Sequence, residues 1–204
     1  MFGFILALGI GFQTVQAGTV GIKTVGIKSY DAIFMKAKKI DQTVTQVEKN
    51  IKNAKLNFNK AVGLSKKSTY TEGIAKLQKQ AGKDISMVFR GQIPTISTTS
   101  HVPPKIKKGV QALNNALKNQ VQGLKKLSTV PKQTKTLSKE IQNSIGNLQI
   151  PISTLLNIKK MKTIHNNVRR ISKLPSRTKK ITQTISNQLR NICKAFGKTW
   201  KKHW

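Results

Sequence analysis

The side chains with the clearest chemical potential in this chain are the basic ones. The chain has 204 residues, with 38 Lys+Arg against 6 Asp+Glu and a formal net charge of +32. Only five of the basic residues are arginines. Because lysine is a hydrated point charge on a flexible stem, this composition favours diffuse attraction to phosphates over base reading. The candidate polyanion-binding residues cluster in the second half of the chain: Lys107, Lys108, Lys125, Lys126, Lys159, Lys160, Arg169, Arg170, Lys179, Lys180, Lys198, Lys201 and Lys202.

Residues typical of catalytic or metal sites are sparse. His101, His165 and His203 are far apart, and Cys193 is the only thiol, so no common metal-ligand spacing occurs. The six acids are spread over 110 residues and offer no obvious carboxylate pair. We therefore expect a protein that is not an enzyme and that takes no cofactor, no metal and no small-molecule substrate.

The C-terminal end combines aromatic and basic residues. Phe196, Trp200 and Trp204 follow one another four residues apart, with lysines between them. Three interpretations are open. A basic helix with an aromatic face can lie in a membrane interface, and lysines and tryptophans together can hold the phosphates and bases of nucleic acid. The aromatic residues can also fill a groove in a neighbouring subunit. The first interpretation predicts membrane contact at Phe196, Trp200 and Trp204.

The N-terminal segment is apolar and rich in glycine. Residues 1–22 contain no charged side chain and five glycines. A bilayer is crossed by about 20 predominantly apolar residues, so an uncleaved anchor with the basic body inside is one interpretation. A segment buried in an assembly and a cleaved signal peptide are the others. The anchor predicts membrane contact for the large apolar residues Phe2, Phe4, Ile5, Leu6, Leu8, Ile10 and Phe12.

Helical periodicity begins after this segment. Apolar residues recur in steps of four and three from Ile33 to Ala61, which predicts a helix over 31–62 with the narrow stripe of a coiled coil. A second helix is expected over about 70–89, because Thr69 and Glu72 have the spacing of a capping box. We expect the two helices to form a helical hairpin or coiled coil.

Prolines divide the rest of the chain. Residues 93–104 contain three prolines and no charge, which predicts a linker. Further prolines predict separate helices near 105–129, 132–149, 152–173 and 176–200. Residues 127–138 match residues 171–182 at an offset of 44, which is typical of a duplicated amphipathic hairpin or of a helical solenoid.

These patterns predict an all-α protein with elongated amphipathic helices. One helix is long and coiled-coil-like, and a Pro-punctuated set of basic helices follows it. The expected divisions are an apolar segment with connector (1–30), a helical hairpin (31–92), a linker (93–104) and a basic helical repeat region (105–204). Because the apolar stripes are thin, we expect each of these helices to need a partner surface.

The predicted function follows from charge and apolar segment together. We expect a membrane-associated structural protein that bridges a scaffold to a polyanion, as a virion component between capsid, inner membrane and genome would. Two alternatives are a sequence-nonspecific nucleic-acid condensing protein with no membrane role and a secreted cationic membrane-active protein. The expected partners are an anionic lipid membrane, nucleic acid or both, with protein neighbours in an oligomer or larger assembly.

Overall fold

The computed structural model describes residues 21–147 and 158–201 of the chain. These residues are mostly helical and include one two-stranded antiparallel sheet. The helices are α1 (Lys28–Ala61), α2 (Tyr70–Ala81), α3 (Pro104–Ser128), α4 (Val130–Asn147) and α5 (Ile158–Ala195). The strands are β1 (Ile85–Arg90) and β2 (Ile93–Thr98). A mainly helical fold is therefore confirmed, whereas the sheet was not predicted.

The long first helix forms where the periodicity predicts it. All members of the apolar stripe from Ile33 to Phe58 are buried, and Ala61 at its end is half-buried. The 34 residues of α1 make a rod about 51 Å long, given 1.5 Å per residue. Its partners are helices of the same chain, so the thin apolar stripes cover one another without a second molecule.

α3 runs antiparallel to α1 at close range. A Cβ atom added to Gly123 would lie 3.0 Å from Val47, and one added to Gly109 would lie 3.1 Å from Val62. The two contacts appear in opposite order along the two helices, which fixes their relative direction. Glycine at these two positions lets the helix backbones approach more closely than a larger residue would allow.

α5 runs parallel to α1. Arg170 donates a hydrogen bond to Asp41, and about two turns further along both helices Arg177 donates to Glu48. The main core joins α1, α2, the strands, α3 and α5, whereas a smaller cluster at the N-terminal end of α1 includes residues of α4 and of the connector before α1. The connector, 21–27, has no regular secondary structure.

The second helix is shorter than predicted, and the expected linker contains a strand. α2 begins at the predicted capping box but ends at Ala81, because Gly82 has a φ of 56°, in the left-handed region. A short 3-10 turn then leads into β1, which pairs with β2. The prediction of a helix to residue 89 is therefore wrong, and the first half of the expected linker, 93–104, forms strand β2.

Proline in β2 is tolerated because of its place in the register. Asn114 of α3 bonds both main-chain groups of Ile96, at 2.6 and 2.9 Å, so these groups point away from β1. Pro94, two residues earlier, faces the same way, and its missing N–H costs the hairpin no hydrogen bond. Gly91, with a φ of 61°, starts the two-residue turn between the strands. Pro94, which disfavours a helix here, is therefore compatible with this strand.

Pro175 lies inside α5, although the sequence predicts a helix break there. A proline in a helix interior costs about 3 kcal/mol, because it removes one hydrogen bond and crowds the preceding turn. Ile171 and Leu174 before the proline, and Ile185 and Leu189 after it, are all buried on one face of α5. Burial of one such side chain contributes about 1.5–3 kcal/mol, so continuation of the helix offsets the cost.

The two copies of the internal repeat share a buried face but differ at the proline. The chain leaves α3 before Thr129, and Pro131 lies in the first turn of α4, whereas the second copy is helical throughout. The buried positions common to both copies are 127 and 171, 130 and 174, and 134 and 178. The repeat therefore encodes which side chains face the core and does not encode where a helix ends.

Candidate polyanion-binding surface

All six acidic side chains are engaged within the fold. Asp31 accepts hydrogen bonds from two main-chain amides before α1, Glu72 completes the capping box of α2, and Asp84 accepts one from a threonine hydroxyl. The other three, Asp41, Glu48 and Glu140, form ion pairs with Arg170, Arg177 and Lys36. Few of the basic residues are therefore compensated by acids of the described chain.

Four basic side chains form a row on α5. Lys162, Arg169, Lys173 and Lys180 are all exposed, and their spacings of seven, four and seven residues place them on one face of a continuous helix. The row, which we call the α5 ridge, is about 27 Å long. It exists because α5 continues through Pro175; a break there would divide the row between two helices.

The ridge includes two residues that sequence analysis missed. Arg169 and Lys180 were predicted from adjacent basic pairs, whereas Lys162 and Lys173 stand outside such pairs. The signal that finds them is the helical spacing of basic residues. Lys162, Arg169 and Lys173 already share the predicted helix near 152–173, and only the addition of Lys180 to the row requires that α5 continue through Pro175.

A groove between α1 and α5 concentrates further lysines beside the ridge. Its volume is about 460 Å³, and Lys52 and Lys55 of α1 line it together with Lys180. Ile51 and Ile185 contribute apolar lining. Glu48 also lines the groove and is paired with Arg177. The groove therefore offers three ammonium groups around a partly apolar base and keeps a net positive lining.

The predicted basic residues of α3 lie at its two ends. Lys107 and Lys108 are exposed in its first turn and a half, and Lys125 and Lys126 are exposed in its last turn. The two pairs are separated by 18 residues, about 27 Å along the helix. The other predicted residues that are exposed are Lys159, Lys179, Lys198 and Lys201, whereas Lys160 is half-buried and Lys202 lies outside the described residues. The predicted residues therefore form a distributed surface rather than one compact patch.

Arg170 of α5 forms an ion pair with a buried acid of α1. Its Nη2 atom lies 2.8 Å from Oδ2 of Asp41, a residue with only 4 % of its surface exposed. A guanidinium that compensates a buried carboxylate is held in place by it. Arg170 therefore takes part in the contact between α5 and α1, and its assignment to the polyanion-binding surface stays a prediction.

The C-terminal aromatic residues pack inward. Trp200 is 5 % exposed in the main core, and Phe196 is half-buried against the same core. The ring of Trp200 is thus covered by its own chain, and its contact with a membrane stays a prediction. Trp204 lies outside the described residues, as do Phe2, Phe4, Ile5, Leu6, Leu8, Ile10 and Phe12.

A helix that crosses a bilayer is both long and apolar. Among the helices in 21–147 and 158–201, none combines the length and the apolar character needed to cross a bilayer.

The described residues also show few features of a catalytic or metal site. Residues 21–147 and 158–201 bring together no group of three or more His, Cys, Asp or Glu side chains that could hold a metal. Burial raises the pKa of the Cys193 thiol to about 11, so the reactive thiolate is disfavoured at neutral pH.

Comparison of the chain with protein-family models, with curated proteins and with solved structures finds no match. Its function is therefore inferred from its own residues. The most informative of these are the exposed lysines and arginines of α1, α3 and α5.

Proposed function

We propose that this protein is a non-enzymatic structural protein that binds a polyanion through the outer faces of its helices and bridges it to a scaffold. The observation that supports this most strongly is the use of all six acids within the fold, while the α5 ridge is exposed. In this proposal, α1 is the coiled-coil-like rod of the body, and the Pro-containing helices α3, α4 and α5 carry the basic surface.

The proposed binding is electrostatic. Each phosphate that a lysine neutralises releases condensed counterions, so the affinity should fall steeply as salt rises and depend little on base sequence. The predominance of lysine agrees with this mode, since an ammonium group attracts a phosphate without requiring one orientation.

The scaffold in this proposal is a membrane together with protein neighbours. The uncharged segment 1–22 would anchor the chain, and the basic body would lie on the cytoplasmic or particle-interior side. A virion component between membrane, capsid and genome is the setting that we propose for such a bridge.

A second candidate is a nucleic-acid condensing protein with no membrane role. The burial of Trp200 favours it, because this ring is withdrawn from any lipid contact. The two candidates share the basic surface and differ in the role of the N-terminal segment.

Variants of the α5 ridge test the basic surface. In the ridge variant, Lys162, Arg169, Lys173 and Lys180 are replaced by Gln; in the control, the exposed residues Lys66, Lys67, Lys79 and Lys83 are replaced by Gln. Binding to inorganic polyphosphate and to single-stranded DNA is measured by fluorescence anisotropy over a range of salt concentrations. For single-stranded DNA, the slope of log affinity against log salt should fall by about 0.7 for each lost contact in the ridge variant. Equal slopes in both variants, or no binding by the wild type at low salt, would refute the proposal.

Flotation with anionic vesicles tests the anchor. The full chain is compared with a variant in which Leu6 and Leu8 are replaced by Asp. Flotation of the wild type but not of the variant supports the anchor. Flotation of neither supports the second candidate, and equal flotation of both excludes residues 1–22 as the lipid contact.

A further inference from the structure

α1 and α3 enclose a second groove, which is lined with asparagine. Its volume is about 280 Å³. The lining residues are Asn50, Asn53 and Asn57 of α1, Asn115 and Asn119 of α3, and two alanines, Ala54 and Ala112. We call it the Asn groove. None of these residues is charged, which sets the groove apart on a chain with a net charge of +32.

The amide groups of this groove are not used to hold the fold together. Elsewhere, Asn59 bonds main-chain groups of the loop that follows α1, and Asn114 and Asn167 bond main-chain groups of other segments. Within the Asn groove, Asn50 accepts one bond from Gln46, at 2.7 Å. The other four side chains, those of Asn53, Asn57, Asn115 and Asn119, form no hydrogen bond with any described residue. Each of them offers two donors and an acceptor to a ligand.

Exposed lysines lie at both ends of the groove. On α3, Lys108, Asn115, Asn119 and Lys126 are spaced by seven, four and seven residues, so they share one line about 27 Å long. On α1, Lys49 precedes Asn53 by four residues, and Lys60 follows Asn57 by three, which places these lysines on the asparagine face. The groove therefore has neutral amides in its middle and positive charges around them.

We propose that the Asn groove binds single-stranded nucleic acid, with base edges on the carboxamides and phosphates on the flanking lysines. An asparagine amide presents a donor and an acceptor side by side, as a base edge does, and the two can pair. Lipid headgroups and polyphosphate have phosphates but no such edges. The inference rests on the proposed function and identifies its polyanion.

The shape of the groove selects a single strand. Base edges of a duplex lie inside its grooves, where a protein reaches them with a protruding helix or ribbon. A concave groove between two helices instead receives bases that are unpaired and turned outward. None of its lining residues is aromatic, so the bases are held by hydrogen bonds and not by stacking.

The test separates base contacts from phosphate contacts. In the groove variant, Asn53, Asn57, Asn115 and Asn119 are replaced by Ala. In the control variant, four exposed amide side chains outside the groove and outside α5, those of Gln80, Gln133, Gln142 and Asn143, are replaced by Ala. Both variants keep the wild-type charge, and alanine favours helix, so both should fold. The probes are a mixed-sequence single-stranded DNA oligonucleotide, its duplex and inorganic polyphosphate, each measured at several salt concentrations.

We expect the groove variant to bind the single strand about tenfold or more weakly, because several hydrogen bonds are lost. Its salt slope should equal that of the wild type, since the lysines remain. Its affinity for polyphosphate and for duplex, and all affinities of the control variant, should not change. An unchanged affinity for the single strand, or an equal loss for polyphosphate or duplex, would overturn the inference. If the wild type binds none of the three probes, the proposed function is overturned as well.

Discussion

The carboxylate of Asp41 is shared between Arg170 and Arg177 of α5. Arg170 Nη2 lies 2.8 Å from Oδ2 and Arg177 Nη1 lies 3.2 Å from Oδ1, and Asp41 is 4 % exposed. The two arginines stand on either side of Pro175, where the hydrogen-bond ladder of α5 loses one member. One acid therefore holds both halves of α5 against α1.

Replacing Asp41 with Asn should destabilise the fold by about 3 kcal/mol, because the two guanidinium groups lose the charge that compensates them. The matched change is Glu48→Gln, which removes the other acid paired with Arg177. Because the Glu48 side chain is 53 % exposed, this change should lower the free energy of unfolding by less than about 1 kcal/mol. Urea unfolding of both variants measures the difference. Equal losses would show that the Asp41 contact is no stronger than an exposed ion pair.

Replacing Pro175 with Ala should stabilise the protein by about 2 kcal/mol. The new N–H can donate to the carbonyl of Ile171, which restores about 3 kcal/mol, and the more flexible unfolded chain takes back up to about 1 kcal/mol. Pro131→Ala is the control from the other repeat copy. Pro131 lies in the first turn of α4, where the N–H has no helical acceptor, so this change should give no stabilisation. Thermal and urea unfolding measure which of the two variants is more stable. A larger stabilisation by Pro131→Ala than by Pro175→Ala would contradict the continuation of α5 through residue 175.

Asn167→Ala should release the connector before α1. The Asn167 side chain accepts a hydrogen bond from the N–H of Lys23, at 3.2 Å, and donates one to its carbonyl, at 2.6 Å. It thus bonds Lys23 as a neighbouring β-strand would. Without these bonds, trypsin should cut after Lys23 or Lys28 faster than in the wild type. Asn166→Ala, at the exposed neighbouring position, is the control and should leave the rate unchanged. Equal cleavage rates in both variants would mean that apolar packing alone holds the connector.

The Cys193 thiol should titrate late in the folded protein. Burial raises its pKa from 9.0 to about 11, since the thiolate is poorly solvated in the core. The thiolate absorbance near 240 nm, taken as the difference between the wild type and Cys193→Ala, should have its midpoint near 11 in buffer and near 9 in urea. Because the folded pKa is the higher one, this group's contribution to stability is constant below pH 9 and is lost as the pH rises from 9 towards 11. A folded midpoint near 9 would show that the thiol is accessible to water.

The candidate surface was predictable in composition but not in arrangement. Adjacent pairs such as Lys107 and Lys108 are visible in the sequence and are exposed as expected. The Asn groove was not visible, because Asn53 and Asn115 are separated by 62 residues and meet only when α3 packs antiparallel to α1. Arg170 could not be separated from Arg169 either, since only one of these neighbours points towards Asp41.

By itself, the sequence determined the features that depend on near neighbours along the chain. Apolar residues at helical spacing specify α1 and its buried face, and Thr69 with Glu72 specifies the start of α2, because these interactions reach only three or four residues. The tertiary structure decided the conformation of the segments whose local sequence favours neither helix nor strand clearly. Pro94 fits a strand because the pairing of β2 with β1 turns its nitrogen outward, to the edge where Asn114 of α3 bonds Ile96. Pro175 stays in a helix because buried side chains on both sides offset its cost. A local conformational preference of a few kcal/mol is overridden wherever contacts between residues far apart in the chain contribute more stability.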